Sequence, residues 1–131
     1  MSHVFQCRVY YEDTDLAGIV YYANYFKFIE RARTEFVREI GIDQTELKSG
    51  EGIVFAVQRV EADYIKPAQF DDELSVYTSP VQITAARIIL NQVVKRGSEE
   101  LFRAKVCLVA IGQNGKPTRI PAKLRQTMTN R

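Results

Sequence analysis

Apolar and polar side chains alternate near the start of the chain. Between residues 4 and 11, one face carries Phe5, Cys7, Val9 and Tyr11, and the other carries Gln6 and Arg8. Successive side chains of an extended chain point to opposite faces, so this period of two predicts a half-buried β-strand.

A helical pattern begins near Asn24. Apolar side chains then recur at intervals of three and four residues, at Tyr25, Ile29, Ala32, Phe36 and Ile40. This spacing predicts one amphipathic helix, with Asn24 as its N-cap and Gly41 at its end. Residues 12–23, which include Gly18, are predicted to form a loop, and residues 42–52 a loop or a short extra helix.

The chain after residue 52 has the pattern of a sheet. Residues 53–64 alternate but change phase near Gln58, which predicts a β-bulge. Further strands are predicted at 73–79, 81–95 and 101–111. Pro80 is predicted to end the strand at 73–79, and residues 96–98 and 114–115 are predicted to form turns. A basic tail that includes Pro117 ends the chain.

One long helix and a series of strands with short connections predict the α+β class. The economical arrangement is a five-stranded, largely antiparallel sheet curled around the helix. An open sheet keeps an exposed edge, so pairing with a second copy of the chain is expected. The length of 131 residues fits one domain over residues 1–131.

Composition narrows the function classes. Hydrophobic residues make up 46% and charged residues 26%, as in ordinary soluble domains. A formal net charge of +2 without a basic stripe argues against a nucleic-acid partner. The start lacks the apolar core of a signal peptide, and no apolar run approaches the roughly 20 residues of a membrane span. A cytoplasmic protein is therefore expected.

The single histidine, His3, restricts the possible chemistry. A histidine-based triad or a histidine-rich metal site is almost excluded, so acid–base chemistry must use Asp, Glu, Tyr or Lys. Cys7 and Cys107 lie in strand-like segments and are predicted to be buried, reduced thiols.

The candidate chemistry lies in the loop before the helix. Glu12, Asp13 and Asp15 crowd into four positions there. A helix N-terminus presents free N–H groups and a positive dipole end, and Tyr22 and Ala23 are placed to donate to an oxyanion. If the loop folds back, Asp15 can attack an acyl carbonyl or activate water. The same residues also suit an ordinary turn, and both interpretations remain open.

A longer motif carries a family resemblance. Residues 9–41 read VYYEDTDLAGIVYYANYFKFIERARTEFVREIG. This stretch resembles the opening motif of hotdog-fold acyl-CoA thioesterases of the hydroxybenzoyl-CoA thioesterase group, and is most similar to the branch associated with the Tol-Pal system. The segment KPAQFDDEL and the register of residues 81–112 match the same family. The resemblance implies a hotdog fold, with one long central helix wrapped by the sheet, and dimers that pair into tetramers.

The resemblance also implies roles for individual residues. The catalytic aspartate of the family falls on Asp15, and its oxyanion-donating backbone N–H falls on Tyr22. Gly18 falls on the glycine that lets the loop pass close to the thioester. Ala23 and Tyr25 complete the predicted substrate-binding residues around the helix start.

Basic residues are expected to meet the phosphates of CoA. Lys116 falls near one such position of the family. The basic cluster that some relatives carry at 84–86 reads Thr-Ala-Ala in this chain. Arg87 is the second predicted contact, and Arg96 and Arg119 are alternatives.

The implied activity is hydrolysis of an acyl-CoA thioester to a free acid and a thiol. Asp15 acts as nucleophile or as general base, and no metal or redox cofactor is needed because thiolate is a good leaving group. Tol-Pal-type members often carry histidine where this chain has Tyr22, whereas relatives acting on aromatic acyl-CoA carry tyrosine, so the acyl preference stays open. The alternatives are an acyl carrier protein thioester as substrate and a non-catalytic acyl-CoA-binding protein.

Overall fold

A computed structural model describes residues 3–129 of the chain. The elements in chain order are β1 (His3–Arg8), a 3-10 turn (Tyr11–Asp13), α1 (Asn24–Glu39), α2 (Gln44–Glu51), β2 (Val54–Tyr64), β3 (Glu73–Ile83), β4 (Ile88–Arg96), β5 (Glu99–Ile111), β6 (Pro117–Thr118) and α3 (Ala122–Thr129). The strands form one antiparallel sheet in the order β1-β3-β4-β5-β2, and β6 pairs with the end of β5. The predicted α+β class and antiparallel sheet are confirmed, with a two-residue sixth strand in addition.

The long helix packs against one face of the sheet. Its buried side chains follow the predicted spacing and are Tyr25, Phe28, Ile29, Ala32, Phe36 and Val37. Strand β5 buries its alternate residues Phe102, Ala104, Val106, Leu108 and Ala110. The ring of Tyr25 stacks on that of Phe102, with 4.8 Å between centroids. Burial of these two apolar faces holds the helix along the sheet.

One polar group is buried between the helix and the central strand β4. The Gln92 amide nitrogen donates to the Ile29 carbonyl (2.8 Å) and to the Thr78 hydroxyl (2.9 Å), and its oxygen accepts from Arg33 (2.9 Å). Burial lowers the pKa of the Arg33 guanidinium from its ordinary value. Because these groups satisfy one another, they fix the position of α1 over β4.

The start of α1 differs from the prediction. Ala23 occupies the N-cap position and Asn24 is the first helical residue. The Asn24 side chain donates to the Asp13 carbonyl at 2.9 Å, so the prediction that Asn24 is the N-cap is wrong. Its amide ties the preceding loop to the helix instead. The end of the helix is as predicted, since Gly41 follows it with φ of 92°, a conformation that favours glycine.

The middle strands also divide at a different point. The sequence predicts that β3 stops at Pro80, whereas the strand continues to Ile83 with a register shift directly after the proline. Such an irregularity accommodates a residue that has no N–H to donate. Strand β4 consequently begins at Ile88 rather than at 81. The bulge predicted near Gln58 is confirmed by a register shift at that residue.

The remaining differences between the predicted and the observed elements lie near the two ends of the chain. Strand β1 stops at Arg8, and Tyr11 belongs to the 3-10 turn. The predicted basic tail contains β6 and α3, and α3 buries Leu124 and Met128 one helical turn apart. Among the helices within residues 3–129, none has the length and hydropathy needed to cross a bilayer.

Candidate active site

The loop between β1 and α1 closes as a short hairpin. Thr14 and Val20 form an antiparallel bridge. The Asp15 N–H donates to the Ile19 carbonyl (2.9 Å), and the Gly18 N–H donates to the Asp15 carbonyl (3.0 Å). Gly18 has φ of 82°, which side chains disfavour. Asp15 therefore opens a tight turn whose closure requires glycine.

Hydrogen bonds fix this loop to the segment that follows β2. The Val20 N–H donates to the Ala68 carbonyl (2.8 Å), and Ile19 forms a bridge with Gln69. The buried Ala68 N–H donates to the Tyr25 hydroxyl (3.0 Å). Tyr25 is predicted to bind substrate, but the structure places it in the core, 3% exposed. Burial raises its pKa, and its role in this chain is to support the loop.

Asp13 and Asp15 have different surroundings. The Asp13 carboxylate accepts from the Tyr10 N–H (2.8 Å), and the Asp13 carbonyl accepts from the Tyr21 N–H (2.9 Å). The Asp15 carboxylate is exposed, and its one partner among residues 3–129 is the Ala17 N–H (2.9 Å). Asp13 is thus committed to holding the loop, whereas Asp15 has oxygen lone pairs left for a ligand.

In the described part of the chain, N–H groups are free at the start of α1, those of Tyr22 and Ala23 among them. The Asn24 N–H donates to the Tyr21 carbonyl (2.8 Å), and the Phe26 N–H donates to the Ala23 carbonyl (3.2 Å). The N–H groups of Tyr22 and Ala23 have no protein acceptor in the described part of the chain. Both lie at the positive end of the helix dipole, which makes them a pair of donors for an oxyanion.

Aromatic side chains surround these donors. Tyr22 and Tyr64 are 61% and 48% exposed, and their rings lie 6.3 Å apart. The Tyr64 hydroxyl donates to the Tyr22 carbonyl at 2.9 Å. Desolvation is the largest cause of the raised pKa of Tyr64, and the charges of the nearby Tyr22 and Tyr25 raise it further. The sequence predicts that Tyr64 lies in a strand, but its contact with the helix start has no signal in the sequence, because only the fold brings the end of β2 to residue 22.

The surface around the loop is open and apolar in a single chain. Its exposed apolar side chains are Tyr10, Tyr11, Leu16, Tyr21, Ile65 and Phe70. An exposed apolar surface of this kind is typical of a binding site or a protein interface. A single chain leaves this side of Asp15 open to water.

The predicted phosphate contacts lie near the turn before β4. The Ile120 N–H donates to the Ala85 carbonyl (2.9 Å), which places the segment after β6 beside that turn. Arg87, Lys116 and Arg119 are exposed in this region. Arg119 lines a depression beside Ala85 and Ala86, whereas Arg87 lines a cavity beside Arg59 and Lys105, so these residues form a spread basic surface at this end of the sheet.

This basic surface and the Asp15 loop lie at opposite ends of the sheet. Tyr64 pairs with Phe102 at the end near the loop, and Ile111 pairs with Pro117 at the other end. A rise of about 3.3 Å per residue gives roughly 30 Å between Phe102 and Ile111. One chain does not place Asp15 beside its own predicted phosphate contacts.

Arg96, the third basic candidate, has a structural role instead. Its guanidinium bonds Asp72 (2.8 Å) and Glu99 (2.7 Å), and Glu99 also bonds Lys66 (2.7 Å). Hydrogen bonds from Lys66, then Arg96, hold the pKa of Glu99 at about 2. This network joins the loop after β2 to the turn between β4 and β5, which leaves Arg96 unsuited to bind a phosphate.

The two cysteines are free thiols in different environments. Cys7 faces the core, and burial raises its pKa to about 11. Cys107 lies on the outer face of the sheet, where it lines a cavity of about 480 Å³ with Arg59, Arg87 and Lys105. Both cysteines are half-buried, so neither is the fully buried thiol that the sequence predicts, although Cys7 packs against the core.

Comparison with known proteins decides the family. The family model described as the thioesterase-like superfamily matches residues 9–128. The chain belongs to this superfamily. Acyl-CoA thioesterase YbgC of Haemophilus influenzae is 38% identical over 123 residues, 92% of this chain and 90% of that protein. Acyl-CoA thioester hydrolase YbgC of Escherichia coli O6:H1 is 35% identical over 119 residues, 89% and 88% of the two chains.

A solved structure agrees with this assignment. The crystal structure of a probable thioesterase from Bartonella henselae matches with a TM-score of 0.88 and 40% identity, over 92% of this chain and 100% of that one. The predicted resemblance to hotdog-fold thioesterases is confirmed. The turn interpretation accounts for the one N–H that each carboxylate accepts, and the exposed Asp15 keeps further lone pairs for a ligand.

Proposed function

We propose that this protein hydrolyses acyl-CoA thioesters, with Asp15 as the catalytic carboxylate and the Tyr22 N–H as oxyanion donor. The supporting observation is that one loop carries two features. Asp15 is exposed and its carboxylate accepts a single N–H, from Ala17, and the N–H groups of Tyr22 and Ala23 at the helix start have no acceptor among residues 3–129. The names of the YbgC relatives support the reaction class.

In the proposed mechanism the thioester carbonyl lies at the start of α1. Asp15 attacks the carbonyl carbon, which forms an anhydride and releases CoA thiolate, and water then hydrolyses the anhydride. In the other route Asp15 takes a proton from a water molecule that attacks the same carbon. Either route builds negative charge on the carbonyl oxygen, where the N–H groups of Tyr22 and Ala23 and the helix dipole stabilise it.

We infer further that each complete site contains two chains. Edge strand β2 exposes Val54 and Val57, and antiparallel pairing with a second β2 covers them. Such pairing sets the far end of the second sheet beside the Asp15 loop. Arg87 and Lys116 of that copy then approach the same substrate, whereas within one chain both lie toward the end of the sheet away from the Asp15 loop. The family resemblance also implies pairing of such dimers into a tetramer.

The catalytic role of Asp15 is tested by thiol release from a panel of acyl-CoAs. We expect Asp15→Asn to lower kcat by about a hundredfold or more, as for loss of a general base. Glu12→Gln is the matched control, because Glu12 is exposed and has no ion-pair or hydrogen-bond partner in residues 3–129. If the Asp15→Asn variant releases thiol at the parent rate, Asp15 has no role in the mechanism. A parent that binds acyl-CoA without releasing thiol supports the non-catalytic alternative.

The two-chain site is tested by mixing two defective variants. One carries Asp15→Asn and the other carries Arg87→Ala with Lys116→Ala. Random association into dimers gives half heterodimers, each with one intact site, so the mixture should recover about a quarter of the parent kcat/KM. A mixture whose kcat/KM is only the average of the values of the two separate variants contradicts the shared site.

An acyl carrier protein thioester is the second candidate substrate. The exposed basic surface of Arg87, Lys116 and Arg119 suits an acidic carrier protein as well as the phosphates of CoA. Rates for one acyl group on both carriers separate the candidates, since Arg87→Ala should weaken kcat/KM only for the carrier that this surface binds.

A further inference from the structure

We propose that Tyr64 is a positioning residue for the oxyanion donors at the start of α1. The inference rests on the function proposed for that site. It adds a side chain from the end of β2, more than forty residues along the chain from the loop that carries the reaction.

The Tyr22 carbonyl lies directly before Ala23, the N-cap of α1, and is outside the helical ladder. The Phe26 N–H, which lies four residues further on, donates to the Ala23 carbonyl at 3.2 Å. The Tyr22 carbonyl accepts no backbone N–H within residues 3–129. The Tyr64 hydroxyl takes this place, with its oxygen 2.9 Å from the Tyr22 carbonyl oxygen.

Holding this carbonyl sets the direction of an oxyanion donor. The Tyr22 carbonyl and the Ala23 N–H belong to one planar trans peptide and point in opposite directions. The hydroxyl of Tyr64 therefore fixes the direction of the Ala23 N–H. It also polarises the peptide, because linked hydrogen bonds strengthen one another.

The two donors are fixed in parallel ways. The Tyr22 N–H belongs to the preceding peptide, whose carbonyl on Tyr21 accepts the Asn24 N–H at 2.8 Å. That bond is local and forms with the helix. The bond that sets the Ala23 N–H is tertiary, since Tyr64 comes from the sheet. The second donor thus depends on a side chain from outside the loop.

Packing against buried aromatic rings holds the ring of Tyr64 in place. Its ring centroid lies 5.0 Å from that of Phe102 and 5.6 Å from that of Tyr25, and both of those rings are buried. Loss of the hydroxyl alone leaves these ring contacts in place. Tyr64→Phe therefore separates the hydrogen bond from the packing.

The test compares Tyr64→Phe with the parent in steady-state hydrolysis of an acyl-CoA that the parent cleaves. We expect kcat to fall about three- to tenfold, or about 0.7 to 1.4 kcal/mol, with KM within about twofold because the bond acts on the transition state. The thermal midpoint should stay close to that of the parent, since a half-exposed carbonyl regains a water partner. Tyr77→Phe is the matched control, because Tyr77 lies in β3 beside Lys95 and its hydroxyl has no hydrogen-bond partner in the described residues.

A second measurement varies the strength of the donor. A chain with 3,5-difluorotyrosine at position 64 carries a more acidic phenol, which is a stronger donor below its own pKa. Its kcat should equal or exceed that of the parent. A kcat that increases from Tyr64→Phe through the parent to the fluorinated chain supports the proposal. A fluorinated chain with the kcat of Tyr64→Phe overturns it.

The outcomes separate this inference from the proposed function. A parent that cleaves acyl-CoA, with an impaired Asp15→Asn variant and an unimpaired Tyr64→Phe variant, overturns the role of Tyr64 alone. A Tyr64→Phe variant whose defect lies in KM, with kcat unchanged, also overturns the role of Tyr64. A parent that releases no thiol from any acyl-CoA overturns both.

Discussion

Replacement of Tyr25 by phenylalanine removes a single oxygen atom from the core. The Tyr25 hydroxyl accepts the Ala68 N–H at 3.0 Å, and both residues are buried. The substitution leaves the stacked contact between ring 25 and Phe102 in place. Its effect on stability therefore reports the one hydrogen bond that joins the helix start to the segment after β2.

The expected decrease in the free energy of unfolding follows from the burial of Ala68. A buried N–H left without a partner costs about 1 to 3 kcal/mol, and the closely packed surroundings leave little space for a replacing water. In a domain of this size, each kcal/mol lowers the thermal midpoint by about 3 to 5 °C. A central loss of about 2 kcal/mol gives a decrease of about 6 to 10 °C.

Thermal and urea unfolding of Tyr25→Phe and the parent measure this loss. Both proteins are compared at one concentration, because subunit association shifts the midpoint. We expect a lower urea midpoint with an unchanged slope. Tyr21→Phe is the control, since that hydroxyl is exposed and has no partner within residues 3–129. If Tyr25→Phe melts within about 1 °C of the parent, the buried Ala68 N–H does not depend on this hydroxyl.

Two further predictions concern titratable groups. Hydrogen bonds from Lys66 and Arg96 hold the pKa of Glu99 at about 2, below the ordinary value of 4.5. Their stabilisation is thus present above pH 4.5 and is lost as the pH falls toward 2. Glu99→Gln should show a shallower loss of stability than the parent over this window in acid unfolding, and equal slopes would contradict the ion-pair network. Burial raises the pKa of Cys7 to about 11, so alkylation at pH 8 should modify the half-exposed Cys107 first. Peptide mapping by mass spectrometry checks the order, and faster modification of Cys7 would show that its burial is transient.

The elements of this fold were largely predictable because their signals are local. The spacing of Tyr25, Ile29 and Phe36 defines the helical face, and the alternation along β5 defines the face that packs on it. Errors occurred where a local signal has more than one structural solution. Pro80 ended the predicted strand, but a register shift carries β3 past it.

The candidate site was predictable only in part. The acidic loop and the helix start are neighbours in the sequence, so Asp15, Tyr22 and Ala23 could be selected together. The contact of Tyr64 with Tyr22 could not, because no local pattern reports which strand end meets a given loop. The hydrogen bond of Tyr25 could not be predicted for the same reason, since the partner of its hydroxyl lies 43 residues away.

The sequence alone determined the class of the fold, selected the candidate loop and led us to expect a mechanism without histidine. Periodicity, turn residues and residue inventory decide these features, and each is a property of neighbouring residues or of composition. Only the tertiary structure showed that Asp13 is half-buried whereas Asp15 is exposed. It also set the basic residues at the far end of the sheet from that loop. The order of the strands and the packing of the helix, which connect residues distant in the chain, decide both.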